Sequence, residues 1–147
     1  MADGFSTLLL NGLAVELHNA SIGTWNTTGI YTSGQTGITL GNVPPTPDRC
    51  ITLTAYGVTD SPALSDSKIA VQVRCRWEGL DPRPVNDLAD LVFALLHGKT
   101  TLALSTGVKV VQCRRHSQAP LGLDDANRWS NVQNFYLTVH RPSTNRT

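Results

Sequence analysis

The chain has little of what marks an enzyme, a membrane protein or a secreted mini-protein. Three cysteines in 147 residues, Cys50, Cys75 and Cys113, are odd in number and widely spaced, with no paired-cysteine motif for zinc or redox chemistry. Their expected state is buried and reduced, each a small hydrophobe. No apolar run reaches the roughly 18 residues of a membrane span, and no basic segment followed by an apolar one opens the chain, so neither a span nor a signal peptide is expected. Charge is scarce at 16%, and 12 basic against 11 acidic side chains leave a net +1. That balance argues against a protein whose main task is gripping long stretches of nucleic acid, while leaving room for local basic patches. Phosphate-loop, dinucleotide-binding, serine-elbow and HExxH motifs are all missing. Histidines 18, 97, 116 and 140 lie far apart, where ordinary surface histidines suffice. No cofactor and no metal is expected.

What is present is a domain-sized chain, 40% hydrophobic, rich in Thr, Ser, Asn and Gly, long enough to bury a core without staples. Residues 69–77 alternate Ile69, Val71, Val73, Cys75 and Trp77 with Ala70, Gln72, Arg74 and Arg76, the period-2 pattern of a half-buried strand. Residues 50–56 form a second strand-like run. Between them residues 57–66 are polar, too long for a two-residue turn, and read as a projecting loop.

Phe5, Leu9, Leu13 and Leu17 predict a helix over 5–18, weakened by Gly12. A strand over 38–43 would stop at Pro44-Pro45. Asp81, Pro82 and Pro84 start a helix that runs to His97, with Val85, Leu88, Ala89, Val92, Leu95 and Leu96 as its apolar stripe and Gly98 as its stop. Strands follow at 100–104 and 108–115, then a polar loop over 118–128, then a last strand with Val132, Phe135, Leu137 and Val139 as core candidates. The order predicts a single α+β domain over residues 1–142, a mostly antiparallel sheet with two helices packed on one face and a long projecting hairpin loop, followed by a disordered tail at 143–147.

The segment from Pro47, Asp48 and Arg49 through the polar loop to Val71, Gln72, Val73 and Arg74 resembles a family of minor capsid and tail-terminator proteins of long-tailed bacteriophages. There a Pro-Asp-Arg triplet opens a strand and a Val-Gln-Val-Arg strand returns; the rest of the chain is similar only in the order of its elements. The resemblance implies a virion protein, assembled in the host cytoplasm, that forms a closed ring, typically a hexamer. Such a ring sits on the finished tail tube, stops its polymerisation and meets the head-completion or neck protein. A neck or head-completion protein is the alternative within the class; a small enzyme or ligand-binding domain, and a nucleic-acid module, are the alternatives outside it.

Candidate contact residues follow from projection and charge. Asp60 and Asp66 in the first loop, and Asp124 and Asp125 in the second, are solvated turn acids or contacts to axial partners or the ring lumen. Arg74, Arg76, Arg114 and Arg115 would gather on one strand face as a subunit-to-subunit surface, the low net charge favouring a protein partner over the alternative of DNA passing through the ring lumen. Trp25 and Trp129, in polar surroundings, are interface candidates.

Overall fold

The computed structural model describes residues 3–146. Helix α1 spans Phe5–Asn19 and buries Leu9, Gly12, Leu13, Ala14 and Leu17. Gly12 is required by packing: a Cβ there would lie 2.7 Å from Leu104 Cβ and 2.9 Å from Thr106 Oγ1. Thr106 Oγ1 also donates to the Leu8 carbonyl at 2.6 Å, so a turn far along the chain rests directly on the helix.

Strand β1, Gly37–Leu40, is shorter than the sequence suggests and pairs in parallel with β2, Cys50–Asp60. Parallel pairing follows from the connection: residues 41–49, with three prolines, return to the start of β1 before β2 begins. The sheet is therefore mixed and curled, and the expectation of a mostly antiparallel sheet is corrected on this edge. Strand β3, Asp66–Glu78, pairs antiparallel with β2. The expected loop over 57–66 is largely strand: β2 runs on to Asp60 past a bulge at Gly57/Thr59, and only residues 61–65 turn. The Ser61 hydroxyl oxygen accepts from the amides of Ala63 and Leu64 in that turn. A ribbon exposed on both faces has no core side to impose an apolar alternation, which is why its strands read as loop.

Helix α2, Arg83–Leu96, carries Pro84 in its first turn and buries Val85, Leu88, Ala89, Val92 and Leu96. Asp81 accepts from the Arg83 amide at 3.0 Å and from its guanidinium, but Pro82 occupies the cap position. The helix ends one residue early, at Leu96, because His97 is extended and Gly98 takes φ +84°. Strands β4, Thr100–Ala103, β5, Lys109–Leu123, and β6, Arg128–His140, complete the sheet in the order β1-β2-β3-β6-β5-β4. The predicted polar loop over 118–128 is mostly β5, leaving a turn at 124–127. Pro120 fits because β4 has already ended, so the outer edge of β5 needs no amide donor there, and a bulge at Pro120/Gly122 uses the positive φ of Gly122.

The core is one cluster drawn from both helices and the sheet. In β6 the register corrects one core candidate: Val132 stands opposite Arg74, half-buried, while Gln133 is fully buried opposite Val73. Gln133 donates Nε2 to the Ala89 carbonyl at 3.0 Å and accepts from Arg115 at 3.2 Å, and Asn131 donates to the Val85 carbonyl at 3.4 Å. Amides thus hold α2 against β6 where apolar contact alone was expected. All three cysteines are free and buried. Burial pushes the Cys113 thiol up to about 12 and raises Cys75 further, consistent with inert packing groups.

Residues 143–146 form a turn closed by a Ser143–Arg146 bridge. Thr147 lies outside the described residues.

Candidate assembly surfaces

The alternation of strand direction puts the two long hairpins at opposite ends of the sheet. The β2–β3 turn at 61–65 sits beside the row Asp66–His140–Lys109, and the β5–β6 turn at 124–127 sits beside Glu78 and the proline-rich segment 44–48. Along the 13 residues of β3 these ends are about 40 Å apart. The two projections singled out from sequence therefore face opposite ways.

The 61–65 end is held from the C-terminus. Arg146 donates to the carbonyls of Ser61 at 3.1 Å and Arg141, and to Ser67 Oγ at 2.9 Å; its side chain is only 9% exposed. Asp60 accepts from Ser67 Oγ at 2.6 Å and lies 3.8 Å from Arg146, while Asp66 lies 3.4 Å from His140 Nδ1. Both carboxylates remain more than half exposed, and Leu64 stands 68% exposed at the tip.

The 124–127 end is held by its own acid. Asp124 accepts from the Ala126 and Arg128 amides, both at 2.9 Å, and from Arg128 Nε at 2.9 Å. Desolvation alone would raise its pKa, but the two amides and the guanidinium hold it below the ordinary value. Asp124 is thus a turn-forming residue, and Asp125 is the free, exposed acid of the pair.

The basic residues do not share one surface. Arg74 and Arg114 lie on the sheet face away from the core, Arg114 exposed over the Tyr136 ring at 5.1 Å. Arg115 points to the other face, over the Phe93 ring at 4.1 Å and onto Gln133. Arg76 is 3% exposed and donates to the carbonyls of Asp48 at 2.8 Å and of Pro44 and Pro47 at 2.7 Å, so it pins the proline-rich segment. Arg76 is therefore withdrawn as a surface contact: three carbonyls far back in sequence found it, and alternation along one strand cannot show that. Lys68 joins Arg74 and Arg114 on the bare face. Its parity in the strand, the same as that of Arg74, was the signal available. Arg146 had no sequence signal.

The tryptophans are less exposed than expected. Trp25 packs half-buried against the core and its amide donates to His18 Nδ1. Trp129, also half-buried, stands opposite Trp77 across β3–β6, with its Nε1 buried and unpartnered among the described residues.

The two edges of the sheet differ in charge. The β1 side is approached by residues 19–47, which contain no Lys, Arg, Asp or Glu, whereas residues 91–123, forming the β4–β5 side, contain no acid but hold Lys99, Lys109, Arg114 and Arg115. Beyond Leu53 on β2 and beyond Cys113 on β5, no described strand covers the outer backbone. Among the described residues no group of three or more His, Cys, Asp or Glu is placed to hold a metal, and no helix is long and apolar enough to cross a membrane.

The described residues thus offer two ends, two unlike edges and a sheet face that the helices do not cover. The chain belongs to the bacteriophage tail terminator family, whose model matches residues 16–141. It is a structural component of the phage tail. Its fold is similar to a chain in the virion of a native gene transfer agent particle, at 16% identity over 69% of this chain and 77% of that one, with a TM-score of 0.54. A second solved structure, without a descriptive name, aligns over 95% of this chain and 100% of its own, at 16% identity and a TM-score of 0.62. No curated protein matches the chain.

Proposed function

We propose that this protein forms a closed ring, of six subunits, that caps the finished tail tube, stops its polymerisation and joins the tail to the head through the neck protein. The observation that carries the reading is the placement of the two hairpin turns at opposite ends of one continuous sheet, about 40 Å apart. With strands running along the ring axis, one turn meets the tube and the other meets the head side. A cap needs two such ends that are unlike: Leu64 with Asp60 and Asp66 at one, Asp125 at the other. A tube subunit can then add to neither the capped end nor the far face.

The edges supply the lateral contacts. An uncharged edge on one side and a basic edge on the other are not self-complementary, so they support a head-to-tail contact, the kind that closes into a ring. Trp25 lies on the uncharged side. The helices then cover the outside, and the single sheet and core support one domain over 1–142.

Light scattering after size exclusion, with negative-stain images of the same fractions, tests the ring; addition of the protein to growing tail tubes tests the cap. The reading expects a particle of about six subunits and tubes that stop lengthening. Tubes that keep growing in its presence would overturn it.

A further inference from the structure

The sheet face turned away from the helices has no layer over its central rows. Its lower part, around Arg76, is crossed by residues 44–48. Above that, from the row of Arg74 to the row of Lys68, the strand registers place Arg74, Lys68, Arg114 and His116 on this face, and no carboxylate. The nearest acid, Asp66, sits one row further and is matched by His140 and Lys109. In a chain of net charge +1 this is an unbalanced patch.

The cations are not used internally. Arg49, Arg83 and Arg128 each have a carboxylate partner within 3 Å; among the described residues Arg74 and Arg114 have none within 4 Å, and Arg74, half-buried with its Nε covered and without an acceptor, has only its terminal nitrogens to offer a ligand. Arg114 is held over Tyr136, which also stacks on His116 at 4.3 Å, so its guanidinium is positioned without being neutralised. Lys68 and Arg74 are six residues apart on β3, about 20 Å, with Arg114 in a row between them. A line of spaced, unpaired cations flanked by Gln72, Asn134 and Thr138 suits a rod of repeated anionic charge.

We infer that this face lines the ring lumen and contacts the sugar-phosphate backbone of duplex DNA, without reading its sequence; the lumen part of this rests on the ring reading above. Arg74 and Arg114 would pair with phosphate oxygens in two-pronged fashion, and Lys68 would add a point charge.

The test is fluorescence anisotropy of a short labelled duplex of mixed sequence with the native particle, between 50 and 200 mM salt. Binding should weaken as salt rises, with no preference among duplex sequences, and the log–log slope should become shallower by about 0.9 for each phosphate contact removed. The variant Lys68→Gln/Arg74→Gln/Arg114→Gln should lose at least about 10-fold in affinity at the low-salt end. Arg114→Gln alone, at an exposed position, should show the single-contact change in slope should the triple variant fail to fold. Arg83→Gln, at the start of α2, should leave the slope unchanged. Wild type that ignores DNA at low salt, or variants that bind as wild type does, would overturn the inference. So would a triple variant whose particle falls apart while wild type shows no DNA affinity, which assigns the face to a neighbouring subunit. Tube capping by the same variants separates the two ideas: capping with no DNA contact leaves the ring reading standing, and DNA contact without capping leaves only the face.

Discussion

The two ends of the sheet are stabilised by different means. At the 124–127 end the restraints are several and short: Arg76 on three carbonyls, Asp124 with Arg128, and Arg49 with Glu78 beside Trp77. At the 61–65 end Arg146 reaches the Ser61 carbonyl and Ser67 Oγ from 85 and 79 residues away, beside the Arg141 amide on the Ser65 carbonyl and the Asp60–Ser67 and Asp66–His140 contacts. The first end holds its shape through groups that are paired before any partner arrives. The second has longer charged contacts, 3.4 Å and 3.8 Å, on carboxylates that stay more than half exposed, which makes it the end whose shape is easier to change. The contrast predicts a firm docking surface at one end of the sheet and an adjustable one at the other.

Arg76→Met should produce the largest effect, because three carbonyls, that of Pro47 in a buried bond, lose a charged donor together. A loss of about 3 kcal/mol or more is expected, read as a lower urea midpoint with an unchanged slope. Arg76→Lys should recover little, since a point charge cannot reach carbonyls on both sides of the segment. A variant within 1 kcal/mol of wild type would show that the proline-rich segment is held by something else.

Arg146→Ala should cost about 1–2 kcal/mol and act locally. Amide hydrogen exchange should accelerate over residues 61–67 while residues 124–128 keep their protection. Equal acceleration at both ends would remove the asymmetry argued above.

Asp124→Ala should give the reciprocal pattern at about 1 kcal/mol, opening 124–128 and sparing 61–67, because the two amides that the carboxylate accepts lose their partner.

The smallest effect is a pH dependence. The Arg49 guanidinium holds the Glu78 carboxyl below its ordinary value of 4.5. A lowered folded pKa contributes stability that is fully present above 4.5 and disappears as pH falls through the folded value. Both groups are about one-third exposed, so the pair is expected to contribute under about 1 kcal/mol. Wild type should exceed Arg49→Met by that margin at pH 7, and the gap should close as pH falls below 4.5 and through the lowered folded value. A gap that persists in acid would assign the difference to Arg49 packing on Trp77 instead.

Much of the fold was legible where one residue and its near neighbours carry the signal. Period-2 alternation over 69–77 marked a strand with its core face, and the α2 stripe marked its helix to within a residue or two, because burial on one face leaves a repeat in the sequence. The Pro47–Arg74 resemblance pointed to the family. The two long hairpins were under-read for the same physical reason: strand ends exposed on both faces, with Gly57, Pro120 and Gly122 in them, carry no burial repeat and are held by backbone pairing with a partner elsewhere.

Composition and periodicity thus determined the α+β class, the core faces of β3 and α2, and a surface poor in charge. Tertiary structure alone decided which cations stay free. Arg74, Arg76, Arg114 and Arg115 are alike in sequence, yet one is buried under carbonyls from residues 44–48, one lies on an aromatic ring of α2, and two remain on the bare face. Long-range pairing, which no local pattern encodes, sets the environment of each.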